Sequence, residues 1–569
     1  MDHSLTRPSG GYIFLVSSSR FRVKGLFFVL SAVNLLRSFG SFVARVLAFI
    51  GRHPTPILVL PSLWFLFRYL PFWKDIDATV QLIAPAYDDN LLHFPPVYSF
   101  VARVPFFIID SLLNGHAPGI FERQHPSLVA VYGLVVIQHA SLWLALRYFV
   151  FSLPAREIAR GAITLLLASV ASFYAFAHTG GSEAMTPIAY FLVFGSGIRA
   201  LLGRATLSSW VIYTAALFLA VGSRHINLIL LLWLPGTALL LLLWLLLPFG
   251  KSSPNINPRS RLARRSLPAG PTKLPEFTTT GRSLAMTALI TVLCTFAGVG
   301  AETIVLNTLC RQFGVVERSS LGSAMSGRIG TWVDKLSPER KRGLLDSVQQ
   351  LTSDPLVKLA IQFQIEIGSY DKGTGSALAG VLRERGFDGE KLLAQKDQLI
   401  SQSSFCFYRT LDLGLIKEIL GDFWHGFLPT NDQGIAIAAP KATFFSLERI
   451  DQNPRDWEGI KESPIFVPST AKATLERATT DNMIRHWRWL PILAWTLWFI
   501  GFGIWRAVRG VLPGTYLFIG LSILVIGTLV YAGNCVCIYT LPRYALPLLV
   551  AVMAFGCLVS AGSSTDTLT

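Results

Sequence analysis

Residues 226–248 read INLILLLWLPGTALLLLLWLLLP, a run that contains no charged side chain. A helix needs about 20 mostly apolar residues to cross the hydrocarbon core of a bilayer. The run therefore predicts a membrane-spanning helix. It follows directly after Ser223, Arg224 and His225, so cationic groups stand at one end of the predicted span.

Similar runs recur along the chain, which has 569 residues and is 52% hydrophobic but only 15% charged. An ordinary soluble domain carries about 25% charged residues. We therefore predict an all-α polytopic membrane protein with about ten transmembrane helices. The stretch 21–52 is apolar but interrupted by arginines; it predicts one or two interfacial helices, with an extra span as the alternative. The predicted spans are residues 55–72, 128–151, 161–178, 184–201, 207–222, 226–248, 284–303, 489–507, 513–533 and 540–561.

The formal net charge of +16 is unevenly distributed. Residues 304–486 contain 22 basic and 22 acidic residues, so the excess lies in the spans and their short loops. This is the distribution of the positive-inside rule and not of a nucleic-acid groove, so we expect no nucleic-acid partner. One set of basic residues at the span ends falls on a single side of the ten-span topology, which we predict to be cytoplasmic. They are Arg20, Arg22, Lys24, Arg156, Arg160, Arg199, Arg204, Arg506, Arg509 and the basic residues of loop 250–283.

The topology divides the chain into four parts. Residues 1–54 form N-terminal cytoplasmic or interfacial helices, and 55–303 a transmembrane core with a first external loop at 73–127. Residues 304–486 form a mostly helical, α or α+β, extracytoplasmic domain, and 487–569 the C-terminal transmembrane helices. Cys310 and Cys406 share the external segment and could form a disulfide. The chain has no Asn-x-Ser/Thr sequon, which favours a bacterial plasma membrane.

The first external loop opens with WKDIDATVQLIAPAYDDNLLHFPPVYSF, residues 73–100. Carboxylates next to a bilayer are costly, and such acids are candidates for function. Partial desolvation would raise the pKa of Asp75 or Asp77, so that either could take a proton from an acceptor hydroxyl. The alternative is a solvated loop with helix-capping aspartates.

This arrangement resembles the C-type (GT-C) superfamily of membrane glycosyltransferases, in which an acidic Asp-x-Asp motif follows the first span. The segment HFPPVYSF is similar to the family's Pro-Pro/Leu-Tyr-type motif, and residues 98–113 are similar to its interfacial helix. Three later stretches also resemble family segments, although residues 304–486 match no domain of the family. These stretches are GSEAMTPIAYFLVFGSGIRALL from Gly181, SRHINLILLLWLPGTALLL from Ser223 and TLPRYALPLLV from Thr540.

The resemblance implies inverting transfer of a sugar from a polyprenyl-phosphate carrier to a glycan, lipid or protein on the outer face. Asp75 is the first choice for the base and Asp77 the second. A guanidinium at an external span end could hold phosphate in bidentate fashion, which points to Arg224 and Arg543. Their alternative role is snorkelling to the headgroups. His225 and Lys74 are additional phosphate donors, and the candidate substrate-binding residues are Asp88, Asp89, His93, Tyr98 and Glu183.

We expect no obligatory cofactor and predict no metal site, although Asp75 and Asp77 could bind a divalent cation through carboxylate oxygens. Glu183 could instead be an acid that complements the dipole at a helix N-terminus. The expected partners are the lipid-linked sugar, membrane lipids, the acceptor and a protein bound through 304–486. Two alternatives stay open: a transporter or lipid flippase, which a broken helix or an internal duplication would favour, and a non-catalytic scaffold for glycan assembly.

Overall fold

The structure is a computed structural model, and the part of the chain that it describes is 88% helical. It describes residues 38–68, 71–73, 82, 91–92, 95–115, 127–246, 281–317, 320–368, 373–427, 500–505, 514–537 and 542–561. The all-α prediction is therefore confirmed for these residues.

Apolar helices overlap the predicted spans, but the helices Ser38–Arg52 and Pro96–Asn114 lie outside them, and of the run 489–507 the structure describes residues 500–505. Short 3-10 helices precede three of them, at Ser182–Ala184, His225–Leu232 and Pro542–Ala545. In chain order the apolar helices are α1 (Ser38–Arg52), α2 (Pro54–Arg68), α3 (Pro96–Asn114), α4 (Leu128–Ser152), α5 (Glu157–Ser169), α6 (Ala171–Ala177), α7 (Met185–Leu201), α8 (Leu207–Ser223), α9 (Trp233–Leu246) and α10 (Gly281–Phe313).

By length and composition, six helices of the described residues could cross a membrane, or eight if each of two bent pairs counts as one span. One of the six lies within α3, which the sequence predicts to be interfacial. The bent pairs are α1 with α2, at 81°, and α5 with α6, at 56°. A multi-pass integral membrane protein is thus supported.

A helical unit follows α10. Its helices are α11 (Ser320–Val333), α12 (Pro338–Gln349), α13 (Pro355–Glu366), α14 (Thr374–Glu384), α15 (Gly389–Arg409) and α16 (Leu413–Phe427). Ser337 caps α12 by accepting a hydrogen bond from the Arg340 amide, and Pro338 fills the first helical position, as the sequence predicts. The unit has its own core, around Trp332, Ile361 and Phe407.

The chain returns to the apolar bundle through the helix at 500–505, α17. Two further helices, α18 (Gly514–Cys537) and α19 (Leu546–Ala561), pack on each other as a hairpin. Gly527 permits their close approach, because a Cβ added there would lie 2.2 Å from Ala551 Cβ. The main core is a large apolar cluster of the bundle. It includes the fully buried rings of Tyr190 and Phe194, which meet edge to face.

α7 begins just after Glu183 and carries Arg199 in its last turn, so these two residues mark two levels at opposite ends of the helix. At one level, here named the Arg224 end, Arg224 contacts Glu183, and Gly533 of α18 lies against Ile226. At the other, the Arg199 end, Arg52 pairs with Glu157 at 2.8 Å, and Arg199 donates to Ser152 Oγ at 2.9 Å. The connections after α4 and after α7 both belong to the Arg199 end, and four arginines lie in these connections or in the adjoining helix turns: Arg156, Arg160, Arg199 and Arg204.

Four short strands within the described residues form two parallel pairs: β1 (Phe72–Trp73) with β3 (Thr179–Gly180), and β2 (Leu91–Leu92) with β4 (Val316–Glu317). In the first pair Phe72 is opposite Thr179 and Trp73 is opposite Gly180. The second pair joins the first external loop to the chain just after α10. Both pairs therefore fix parts of that loop to distant segments.

Cys310 and Cys406 are both free cysteines, so the disulfide between them is contradicted. Cys310 packs beside a small cluster around Leu306 and Leu309 at the end of α10, whereas Cys406 is buried in the core of the helical unit. Burial raises the pKa of the Cys406 thiol, with the Arg409 charge opposing the shift.

Two glycines let α1 approach α5 closely. A Cβ added at Gly51 would lie 1.9 Å from the Glu157 carbonyl oxygen, and one at Gly161 would lie 1.9 Å from the Leu47 carbonyl oxygen. Small residues of this kind allow helix backbones to touch. This contact ties α1 to the bundle, and α1 with α2 is one of the two bent pairs that could each count as one span.

Replacing Gly161 by alanine should therefore destabilise the bundle. The new methyl group would meet backbone atoms, which cannot swing away, and overpacking of this kind typically costs about 1–3 kcal/mol. Thermal unfolding of the purified chain in detergent would measure the effect. Gly40→Ala in α1 is the matched control, since a Cβ there meets nothing within 4 Å. Equal melting temperatures for the two variants would contradict the contact.

Candidate functional site

The turn that connects α6 to α7 is the centre of the Arg224 end. It contains β3 and the 3-10 helix Ser182–Ala184, and its side chains are buried. β3 pairs with β1, so the residues that open the first external loop are hydrogen-bonded to the backbone that leads into Glu183. The turn thus links two segments that the sequence singled out separately.

Tyr98 and Gln138 hold this turn in place. The Gly181 amide donates to the Tyr98 hydroxyl oxygen at 2.8 Å, and that hydroxyl donates to Gln138 Oε1 at 3.0 Å. Gln138 Nε2 donates to the carbonyls of Ala177 and Thr179, at 2.9 and 3.0 Å. A buried amide is costly unless it is hydrogen-bonded, and these contacts satisfy it. The pattern makes Gln138 a positioning residue for β3.

Glu183 and Arg224 form a buried ion pair, with Arg224 Nη2 lying 3.0 Å from Glu183 Oε1. Their side chains are 17% exposed for Arg224 and 1% for Glu183, so water screens the pair far less than a surface pair. The Arg224 guanidinium also lies 5.0 Å over the ring of Tyr544. Arg224 is therefore held on two sides by protein groups, which its alternative role of snorkelling into headgroups does not require.

A break in the helix positions Arg224. The residue ends α8 in an extended conformation, and a 3-10 helix begins at His225. Asn227 stabilises the backbone at the break through two hydrogen bonds. Its Nδ2 donates to the Ala220 carbonyl at 2.7 Å, and its Oδ1 accepts from the Tyr190 hydroxyl at 2.9 Å. The backbone on either side of Arg224 is thereby fixed.

His225 lies beside Glu302, with 3.7 Å between His225 Nε2 and Glu302 Oε1. The Glu302 side chain is 7% exposed and that of His225 is 36% exposed. The sequence analysis did not single out Glu302, although it is the one acidic residue in the apolar sequence of α10. An ionisable residue within an apolar span was the signal that could have identified it.

A histidine pair lies in the core behind the turn. His139 Nε2 is 3.1 Å from His178 Nδ1, and His139 Nδ1 is 3.1 Å from Ser62 Oγ. Both histidines are buried, and Phe65 packs beside them. The pair connects α2 and α4 to the residue that precedes β3. The adjacent Gln138-His139, in the otherwise apolar run of α4, was the sequence signal for this network and for the turn.

Four of the proposed site residues meet at the Arg224 end: Tyr98, Glu183, Arg224 and His225. Tyr98 is buried with its hydroxyl committed to Gln138 and Gly181, so its contacts make it a positioning residue. Arg543 precedes Tyr544 in the 3-10 helix that leads into α19, and its side chain lies outside the described part of the chain. The remaining proposed residues also lie outside the described residues: Lys74, Asp75, Asp77, Asp88, Asp89 and His93.

Among the described residues, no group of three or more His, Cys, Asp or Glu side chains could hold a metal ion. The groups that the structure brings together at the Arg224 end are a guanidinium, an imidazole and two buried carboxylates. Comparison with protein-family models, with curated proteins and with solved structures gives no match for the chain.

Proposed function

We propose that this chain is a membrane glycosyltransferase of the C type, which transfers a sugar from a polyprenyl-phosphate carrier to a glycan, lipid or protein acceptor. The observation that carries the proposal is the meeting of distant segments at the Arg224 end. β1 pairs with β3, Glu183 binds Arg224, and Arg224 stacks on Tyr544. These are the segments that resemble the superfamily's acidic loop, Ser-Glu span, Arg-led span and Arg-Tyr span.

Chain connectivity supports a role for Asp75 at this site. Only two peptide units separate Asp75 from Trp73, and consecutive Cα atoms are 3.8 Å apart, so the connection reaches at most about 7.6 Å. Trp73 is paired with Gly180, three residues before Glu183. A carboxylate at position 75 is therefore within reach of a substrate bound at the Arg224 end.

The proposed reaction is a single displacement with inversion. The Asp75 carboxylate takes the proton of the acceptor hydroxyl as its oxygen forms a bond to the anomeric carbon. The bond between that carbon and the phosphate oxygen breaks, and polyprenyl phosphate leaves with the electron pair. The cations Arg224, Arg543 and Lys74, with hydrogen bonding from His225, stabilise the charge of the leaving phosphate, and positioning contributes the rest of the rate gain.

The placement of arginines supports an active site on the extracytoplasmic face, in a bacterial plasma membrane. Arg156, Arg160, Arg199 and Arg204 belong to the end of the bundle opposite Arg224. Connections rich in arginine stay on the cytoplasmic side, which leaves the Arg224 end outside.

The test of the proposal is an assay of the full chain in lipid nanodiscs with a panel of polyprenyl-phosphate sugars. Product is measured as radiolabelled sugar transferred to a glycan or lipid acceptor, with release of polyprenyl phosphate. Transfer from at least one donor is the expected result. Binding of these donors without transfer to any acceptor, combined with movement of labelled lipid between leaflets, would instead identify a flippase.

One observation favours that second function, a transporter or lipid flippase. The sequence shows no broken helix, yet the structure contains a 56° bend between α5 and α6 and a 3-10 segment, His225–Leu232, within a predicted span. Discontinuous helices form the binding sites of many transporters. The 3-10 segment begins next to Arg224, and α6 leads from the bend at Val170 towards the turn that holds Glu183, so the same groups would then bind a lipid headgroup.

Tyr98→Phe is expected to lower transfer by moving the turn that the hydroxyl holds. The change leaves the Gly181 amide and Gln138 Oε1 without this partner, at a cost of about 1–3 kcal/mol for a buried polar group. The control is Tyr174→Phe, which removes another fully buried hydroxyl, bonded to the Leu58 carbonyl. We expect both variants to have a lower melting temperature than the wild type, and only Tyr98→Phe to have a lower kcat. An equal kcat for the two would mean that Tyr98 acts on stability alone.

A further inference from the structure

The outward face of α16 is apolar although it is exposed. Leu413, Leu420 and Trp424 are exposed by 80%, 51% and 57%. Their spacing of seven and four residues puts them on one face of the helix, and the exposed Lys417 lies on the same face. These three side chains form an apolar stripe with Lys417 in its middle, and large apolar side chains grouped on a protein surface mark an interaction site.

The opposite face of α16 joins the helical unit to the bundle. Leu415 is buried in the core of the unit, and Ile419 packs both there and against a cluster that includes Tyr531 of α18. The rings of Phe423 and Tyr531 are 5.6 Å apart, and the Tyr531 hydroxyl donates to the Asp422 carbonyl at 3.0 Å. α16 is therefore packed directly on the side of a candidate membrane span.

Arg328 fixes this contact at the last two turns of α18. Its Nη1 lies 2.6 Å from Asp422 Oδ2, and its Nη2 donates to the Cys535 carbonyl at 2.9 Å. Tyr408 adds a hydrogen bond to the carbonyl of Val536. Since α18 is a candidate span that ends at Cys537, the contact lies beside the end of that candidate span. Exposed apolar residues of α18 continue to Val536.

We propose that α16 lies in the interfacial layer of the bilayer, with Leu413, Leu420 and Trp424 among the acyl chains and Lys417 at the lipid phosphates. Tryptophan is enriched at this level, and lysine can place its stem along apolar surface while its ammonium group reaches the headgroups. The occupant is lipid and not a protein, because the stripe is fixed beside the end of a span and carries a cation that complements anionic headgroups. This surface would hold the helical unit against the membrane next to the Arg224 end.

Site-directed spin labelling of the full chain tests this assignment. Leu413, Leu420 and Trp424 are replaced by cysteine one at a time, in a background whose six native cysteines are replaced, and the chain is placed in nanodiscs that contain anionic lipid. Asp346→Cys, at an exposed position on α12, is the control. In the stripe we expect accessibility to oxygen to exceed accessibility to a nickel chelate, and at position 346 the reverse. Nickel accessibility equal to that of position 346 at all three stripe positions would overturn the proposal.

Photocrosslinking tests the same assignment without replacing the native cysteines. It can therefore be used if the cysteine-free chain does not fold. A benzophenone amino acid at position 420 of the otherwise native chain should yield an adduct with the mass of one lipid. The same group at 346 should yield none. Crosslinks from position 420 to a second copy of the chain or to another protein, in place of lipid, would overturn the assignment.

Discussion

Asp75→Asn should lower kcat for sugar transfer by about 10²–10⁴-fold, the range that general base catalysis contributes. Asparagine has nearly the shape of aspartate but cannot accept the proton of the acceptor hydroxyl, so the donor should still bind. The measurement is transfer in nanodiscs together with the Kd for the donor lipid. A fall in kcat with an unchanged Kd is the expected result.

Two further variants test whether Asp75 itself is the base. Asp77→Asn should have the smaller effect, because Asp77 is the second choice for the base. Asp346→Asn, in the helical unit, removes an exposed carboxylate and should leave transfer unchanged. Wild-type transfer by the double variant Asp75→Asn/Asp77→Asn would remove the base role from this motif and favour a non-catalytic scaffold.

The Arg224–Glu183 pair provides the second large effect. Arg224→Ala leaves the Glu183 carboxylate, 1% exposed, without its cation, and breaking a buried pair in this way costs about 3–5 kcal/mol. We expect this variant to melt well below the wild type and to lose transfer. Glu183→Gln in the same chain removes the buried charge, so the double variant should recover most of the thermal stability.

Activity separates the two roles of Arg224. If its guanidinium holds the donor phosphate, the double variant Arg224→Ala/Glu183→Gln stays inactive and binds donor weakly even though it is stable. If Arg224 serves only to neutralise Glu183, transfer returns together with stability, and its phosphate-binding role is wrong. A double-mutant cycle measures this coupling: thermal unfolding and donor binding are measured on the wild type, both single variants and the double variant.

The sequence predicted the helical bundle well because long apolar runs are governed by a simple physical requirement. A run such as 226–248 must satisfy its backbone hydrogen bonds internally within lipid, so it forms a helix wherever it occurs. The internal breaks were not predicted. The sequence around Val170, where α5 meets α6, contains no proline or glycine. The break before Asn227 is stabilised by a hydrogen bond from Tyr190, which is far away in the sequence.

The candidate site was predicted in part. The sidedness of the spans predicted that Glu183, Arg224 and His225 belong to one end of the bundle. Their partners could not be predicted, because the ion pair joins residues 41 positions apart and depends on how α7 and α8 pack. Gln138 and Glu302 carried a sequence signal, a polar group in an apolar run, whereas the pairing of Trp73 with Gly180 carried none.

The most direct test of the central claim is a cryo-EM structure of the full chain with a bound polyprenyl-phosphate sugar. Our account predicts the donor phosphate in contact with Arg224 and Arg543, and the Asp75 carboxylate on the opposite side of the anomeric carbon. It should lie within about 3 Å of the acceptor hydroxyl, or one water away. A donor phosphate bound away from both arginines, or an Asp75 carboxylate directed into bulk water, would contradict the account.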